Sequence, residues 1–434
     1  MDANLFKIKL LSKKVRVLTN EHGVRKILFL LISRIVRITL VMVSLPIVPL
    51  LRISNRIYPV KLVNIRSKEI GHFVADTEYY LRRTSLKANP VFLLGYFGGV
   101  ISNKQWAKMV KRQFLVNGCF RYLAVANRLF SGAEKYEFEL SDGEGGFRGQ
   151  FGIVPHTIPQ LRFHDDENQR GWDYLDSCAI GEKDSYICLI VRDSGYKKVL
   201  DSRRDWTYHS YRNSKMESYK KAALELAEQG YWVFRMGKSV EDLFDVEHPK
   251  VIDYAQSNER SDFLDIWLMA NCYFCITTGT GLDGIAGQFN RPSVYVNLLP
   301  LNHAPLYKHS VTVPKKLFWE AKGKLLTVEE YMDNCHTSTK DYERAGISIV
   351  DLESIEISDA VKEMEKSLKN EDYFDEEKLL KQERALTLIF DCDRKNTTRK
   401  NTKRKNTKRY QYFRHPKSKI GTVFLDTYWD SLGL

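Results

Sequence analysis

Tyr186-Ile-Cys-Leu-Ile-Val-Arg-Asp-Ser-Gly195 and Tyr273-Phe-Cys-Ile-Thr-Thr-Gly-Thr-Gly281 decide the fold. Each begins as a short run that is apolar at every position and then breaks into charged, hydroxyl or glycine residues. A run without alternation marks a strand buried on both faces, which in turn requires a parallel sheet covered by helices. Between the two stretches the pattern repeats. Lys215–Gln229 is helical in period and stops at Gly230, which suits the position after a helix end. Tyr231-Trp-Val-Phe234 is the next strand and ends in Arg235-Met-Gly237; Val251-Ile-Asp-Tyr254 is a third. Ser261 caps a helix over Asp262–Ala270. After Gly281 come a helix over Leu282–Phe289 and the strand Ser293-Val-Tyr-Val296, closing at Asn297. Five short strands with helical connections predict a doubly wound α/β domain, with bounds 181–370.

The segment 56–180 reads as a first α/β domain. Lys61-Leu-Val-Asn-Ile65 is strand-like, breaks into Ser67-Lys-Glu-Ile-Gly-His72, and precedes a helical stretch over Phe73–Thr84. Val91-Phe-Leu-Leu-Gly-Tyr96 is a second strand, followed by Asn103 and an amphipathic stretch to Phe114. Between Ser131 and Phe163 the sequence turns glycine-rich and irregular, as loops over a cleft do.

The net charge of +13 sits at the ends. Residues 1–66 sum to +11 and residues 394–419 to +12, leaving −10 for everything else. A basic rim beside apolar sequence points to anionic membrane lipids. Nucleic acid is disfavoured, because its footprint runs across the folded domain itself. Residues 1–55 form a basic and apolar membrane-associating segment. From Ile27 to Leu51 the chain is nearly all apolar, yet Arg34 and Arg37 interrupt it and Pro46 and Pro49 break its end. The longest uncharged stretch, Ile38 to Leu51, is shorter than the ~18–20 residues a spanning helix needs. No small-residue cleavage site follows, so an interfacial or re-entrant anchor is expected, with a helix buried against the protein as the alternative. Residues 371–434 read as a C-terminal helix, a disordered basic run over 394–419 with Lys395-Asn-Thr, Lys400-Asn-Thr and Lys405-Asn-Thr, and an apolar tail that packs back on the fold. Seven scattered cysteines make no disulfide framework, and Cys272 with Cys275 reads as core packing.

In doubly wound sheets, ligands sit beyond the carboxyl ends of the strands. That rule selects Arg192, Asp193, Arg235, Gly237 and the turn Thr277, Thr278, Gly279, Thr280, Gly281 as a site for a diphosphate. The competing reading of the turn is a tight turn and no more. His72, with Asp76 one helical turn on, is the candidate catalytic pair: a neutral imidazole takes the proton of an acceptor hydroxyl. A structural helix-capping histidine is the alternative. His209, Arg212 and Asn213, in the cluster Tyr208-His-Ser-Tyr-Arg-Asn213, suit sugar or base contacts, or else form a solvated loop.

Ile70-Gly-His72, Asn103-Lys-Gln105, Val191-Arg-Asp-Ser-Gly-Tyr196, His209-Ser-Tyr-Arg-Asn213, Arg235-Met-Gly237, Ser261-Asp262 and Thr277-Thr-Gly-Thr-Gly281 together resemble the motifs of a bacterial family of GT-B-like glycosyltransferases associated with surface-polysaccharide biosynthesis. The resemblance implies two Rossmann-like domains facing a cleft, a nucleotide-sugar donor in the C-terminal one and a glycan or lipid-linked acceptor near the N-terminal one. It adds Asn103 to the substrate-binding set. Gly71-His72 is similar to the acceptor-side Gly-His of lipid-linked N-acetylglucosaminyltransferases, without their flanking glycine-rich loop and trailing proline. The expectation is a metal-independent transferase with no cofactor beyond its nucleotide-sugar substrate, attached peripherally to the cytoplasmic face of the cell membrane. A sugar-nucleotide epimerase of the same fold and a non-catalytic membrane-bound assembly partner are the rivals.

Overall fold

The computed structural model describes residues 28–86, 91–140, 153–154, 156–195, 205–306, 308–369, 375–401 and 414–434. The chain divides into two compact units. The first is built from residues up to Ile65, Asn89–Gly98 and Phe114–Glu139. Its sheet is parallel throughout, in the order β3-β2-β1-β4, with β1 Val60–Ile65, β2 Phe92–Phe97, β3 Leu115–Val116 and β4 Glu137–Phe138. Leu62 and Tyr96 bury one sheet face against Leu123, Ala124 and Ala126 of the helix Cys119–Asn127, and against Val48 and Leu51 of the helix Ile47–Ser54.

Ahead of that helix runs Leu28–Ser44, and the two axes bend by 46° at the break that holds Pro46. Val41 and Leu45 pack into the core, but Leu28, Phe29, Ile32, Ile35 and Ile38 are all more than half exposed. The alternative of a helix buried against the protein is therefore not found for its first turns among the described residues. No single described helix is long and apolar enough to cross a membrane, whereas the bent pair is so by length and composition.

The second unit holds a seven-stranded parallel sheet in the order β14-β10-β9-β8-β5-β6-β7. Its strands are β5 Tyr186–Ile190, β6 Trp232–Arg235, β7 Val251–Ile252, β8 Cys275–Thr277, β9 Ser293–Leu298, β10 Ser310–Pro314 and β14 Ser418–Ile420. Every residue of β5, β8 and β9 is buried, as central strands of a covered parallel sheet require, although only β5 is apolar throughout. A small antiparallel sheet, β12-β11-β13, adds β11 Lys316–Trp319, β12 Lys324–Leu325 and β13 Ile347–Val350. The α/β class with parallel sheets is as expected.

Seven strands replace the expected five, because β10 and β14 extend the sheet. The expectation of disorder over 394–419 needs correction at both ends. Helix Glu376–Asn401 runs through the first Lys-Asn-Thr repeat, because Ala385, Leu386, Ile389 and Cys392 form a buried stripe at helical spacing that anchors it to the core. At the other end Ser418 and Lys419 join β14, whose pairing with β10 satisfies their backbone. Residues 402–413, with the remaining repeat, lie outside the described residues, as do 141–152 of the glycine-rich loop.

Helices Ile70–Ser85 and Lys104–Gln113 follow β1 and β2 in sequence but cluster with the second unit. There the former packs against helix Asp283–Gln288 and the latter against helix Asp262–Asn271. Arg82, with no exposed surface, fastens this packing: it bonds Glu78 at 3.0 Å, the carbonyls of Val154 (2.7 Å) and Thr157 (2.9 Å), and the Gln288 carbonyl. Glu78 also accepts the backbone N–H groups of Gln160 (2.6 Å) and Leu161 (3.0 Å). A buried ion pair persists only when its remaining donors and acceptors are satisfied in this way.

Candidate functional site

The strand order reverses beside β5: the chain leaves outward through β6 and β7, then returns to β8 on the other flank. The two loops at such a switch point diverge and leave a crevice at the carboxyl ends of the strands. Here those loops are Val191–Gly195 and Thr277–Gly281, and the Arg192 N–H ties them by donating to Thr278 Oγ1 at 3.0 Å. Thr277 Oγ1 accepts from the Gly279 N–H at 3.1 Å, and Thr280 Oγ1 donates to Asp283 Oδ1 at 3.2 Å.

The hydroxyls expected to converge on a ligand therefore hold the turn in shape. Thr277 and Thr278 are buried. Gly279 takes a left-handed φ of +74°, and a Cβ there would lie 2.6 Å from Leu298 Cδ1. The amino end of the short helix Asp283–Gln288 already carries an acid: Asp283 is buried in its first turn. Burial raises its pKa, opposed by Lys308 and Arg212.

The cationic character of the crevice comes from two arginines. Arg212 reaches across from the 3-10 turn Thr207–Arg212 and donates to the Gly279 carbonyl. Burial, and then the positive charge of Arg212, push the Arg192 pKa down to about 10. Arg192 thus stays protonated at neutral pH while repelling its neighbour. The Nε atoms of both are buried and have no hydrogen-bond partner among the described residues, and neither guanidinium is ion-paired to a carboxylate there. Asp193 and Asp283 act on these two charges at a distance without pairing to them directly, so an anion stabilises them further, and a diphosphate supplies both the charge and the bidentate acceptors.

The same 3-10 turn carries an aromatic ladder. Trp206 and Tyr208 stack at 6.2 Å between centroids, and the His209 ring lies 4.0 Å from Tyr208. Thr339, far away in sequence, pins the turn: its Oγ1 accepts from the Tyr211 N–H at 3.0 Å and donates toward the Thr207 and Tyr208 carbonyls, both at 3.2 Å. Beneath, fully buried Asn297 donates to Ser214 Oγ (3.0 Å) and Tyr219 Oη (3.2 Å) and accepts from the Leu352 N–H (2.8 Å). Ser214 in turn donates its N–H to the Arg192 carbonyl at 3.0 Å. Thr339 and Tyr219 left no local signal, since their partners lie on other elements.

Five other expected ligand contacts have structural occupations. Arg235, only 2% exposed, donates to both Asp253 carboxylate oxygens at 3.1 Å and to the Asp242 carbonyl at 2.7 Å. A guanidinium already saturated by a carboxylate has little left for phosphate. Asp193 accepts from the Gly195 and Glu241 N–H groups at 2.9 and 2.8 Å, bracing the loop. The Gly237 carbonyl accepts from Arg260 at 3.2 Å. Asn103 caps helix Lys104–Gln113 by accepting from the Trp106 N–H at 2.8 Å and donates to the Asp262 carbonyl at 2.8 Å, so both ends of its amide are used. The Asn213 carbonyl accepts from Lys315.

His72 is half-buried in the first turn of helix Ile70–Ser85, inside the helix and not on a preceding loop. The backbone beside it meets the glycine turn: a Cβ on Gly281 would stand 2.9 Å from Ile70 Cγ2 and 3.0 Å from the Gly71 nitrogen. Asp76, 2% exposed, accepts from Arg66 at 2.7 and 2.8 Å.

No family model matches the chain, and no curated protein matches it. Among solved structures, it is similar to the ADP-heptose LPS heptosyltransferase II of E. coli, at 12% identity and a TM-score of 0.36 over 58% of this chain and 89% of that one. It is also similar to a family 9 glycosyl transferase of Veillonella parvula, at 10% and 0.37 over 59% and 85%. The E. coli heptosyltransferase WaaC with ADP is a third, at 12% and 0.31 over 59% and 91%. Each likeness is loose, with TM-scores below 0.5, so the functional reading rests on the chain's own geometry.

Proposed function

We propose that this chain is a GT-B-like glycosyltransferase that moves a sugar from a nucleotide-sugar donor to a surface-polysaccharide or lipid-linked acceptor at the cytoplasmic face of a membrane. The observation that carries the reading is the pair Arg192 and Arg212, brought together at the switch-point crevice with no direct ion pair to a carboxylate among the described residues. In transfer, the acceptor oxygen bonds to the anomeric carbon as the bond from that carbon to the donor diphosphate breaks. The electron pair leaves on the diphosphate, where negative charge grows and the two guanidiniums stabilise it without a metal. His72, beside the Gly281 end of the turn, takes the proton lost by the acceptor hydroxyl. The exposed apolar helix pair, with Arg34 and Arg37 on its surface, supports seating on a membrane.

Calorimetric titration of the full chain with nucleoside diphosphates and their sugar conjugates tests the donor site. Saturable binding of at least one is expected, and no binding by any would defeat the transferase and epimerase readings together. With the donor identified, His72→Ala is expected to lower turnover by about 10²–10⁴-fold while donor affinity stays as it was. Unchanged turnover would remove His72 from the chemistry and leave the donor site standing.

A further inference from the structure

Arg52 performs a task that the membrane-anchoring helices alone do not need. From helix Ile47–Ser54 its guanidinium grips the turn after helix Cys119–Asn127: it bonds Asn127 Oδ1 at 2.9 and 3.2 Å, the Asn127 carbonyl at 3.2 Å and the Ser131 carbonyl at 2.9 Å. It also lies over the rings of Phe130, at 5.3 Å, and Tyr136, at 4.7 Å. Asn127 is fully buried and braces the far side by donating to the Ala133 carbonyl at 3.1 Å. This clasp fixes a turn whose tip is apolar and solvent-facing: Leu129 is 68% exposed and Phe130 40%, with Val125 at 41% on the helix behind them. On helix Ile47–Ser54 itself, Ile47, Leu50 and Ile53 are exposed at helical spacing opposite the buried Val48 and Leu51. A clasped turn with two large apolar residues at its tip, next to an apolar helix face, is an interaction surface.

We propose that Leu129 and Phe130 form a second insertion point into an anionic bilayer, held beside the helix pair by Arg52. The inference deepens the membrane-seat reading and rests on it. Charge identifies the occupant. Between Glu21 and Glu69 the chain has no acidic residue, and Arg34, Arg37 and Arg56 are exposed. Around the turn, Arg121 and Arg128 are exposed as well, Arg128 pairing with Glu137 at 2.7 Å. A second copy would bring the same cations against these and be repelled, whereas anionic head groups complement them. Two insertion points joined on one compact unit also raise avidity, since the second contact forms within an already bound molecule.

Co-sedimentation of the full chain with vesicles of phosphatidylcholine and phosphatidylglycerol in equal parts, and with phosphatidylcholine alone, tests the proposal. The wild type is expected to bind the anionic vesicles. Leu129→Ser with Phe130→Ser is expected to lower that partition about tenfold, with nucleotide binding unchanged and the unfolding midpoint lowered only by the loss of the Arg52–Phe130 contact. Val125→Ser is a second, milder variant expected to act in the same direction. Wild-type binding with no loss in either variant would overturn the second insertion point while sparing the membrane seat. A wild type that binds no vesicle would remove the seat itself. If the substitutions instead dissociate a dimer and leave vesicle binding intact, the surface belongs to a second copy and the proposal falls.

Discussion

The two arginines at β-strand ends, Arg192 and Arg235, look alike in sequence and are opposite in physics. Arg192 is crowded by Arg212 and has no ion partner among the described residues, whereas Arg235 is saturated by Asp253 and a carbonyl. Arg192→Ala is accordingly expected to weaken nucleoside diphosphate binding about 10- to 100-fold, the weight of a charge-assisted hydrogen bond. Its unfolding midpoint should be unchanged or raised, because the repulsion is relieved. Arg235→Ala should lose about 3 kcal/mol of stability, since it strands Asp253 beside a buried hole. Calorimetric titration and urea unfolding of both variants check the contrast. A destabilised Arg192→Ala with normal nucleotide affinity would reverse the assignment. The residue types here were legible in sequence; their partners were not, because Asp253 and Arg212 are both near in space for reasons set by loop paths.

At the scale of elements, the site depends on how closely two backbones approach. The Thr277–Gly281 turn and the first turn of helix Ile70–Ser85 touch through Gly281 and Gly71, and the partner atoms include backbone, which cannot rotate away. Gly281→Ala should therefore push the turn and the His72 helix apart, costing about 1–3 kcal/mol and lowering turnover more than donor affinity. Thermal unfolding beside steady-state kinetics reads both. That helix was expected to begin at Phe73, with His72 on the connecting turn. The apolar period marks where a helix is held by packing; the first turn is fixed by backbone geometry at Glu69, whose extended conformation ends the strand exit.

At the scale of the whole molecule, the C-terminal tail is stitched into the second unit by a titratable clasp. Glu363 on helix Ser354–Leu368 is 1% exposed and accepts from the Thr422 N–H at 2.7 Å and from Thr422 Oγ1 at 2.9 Å. Burial is the largest influence and raises its pKa to about 7, against the lowering effect of those bonds and of Lys419. The folded state thus holds this proton more tightly than the unfolded chain, whose carboxyl has the ordinary value of 4.5. Stability from this group is fully present below pH 4.5 and is lost as pH rises to about 7. Glu363→Gln, which cannot ionise, is expected to unfold at progressively higher temperature relative to wild type as pH rises across that window. A difference in midpoint that stays constant with pH would show that Glu363 titrates normally.

By itself the sequence determined the buried strands, the parallel class that follows from their unbroken apolar runs, the acid-free apolar segment at the amino end, and the strand-end turn Thr277–Gly281. These are readable because burial and period act over neighbouring residues. Tertiary structure alone decided that β10 and β14 extend the sheet and that Thr339 and Asn297 brace the site. It also decided that Arg192 and Arg212 come together with no direct ion pair among the described residues, while Arg235 is paired with Asp253. Those outcomes depend on which groups meet when distant loops pack. Whether a strand-end cation is paired or left open is settled only when folding brings, or fails to bring, a carboxylate within reach.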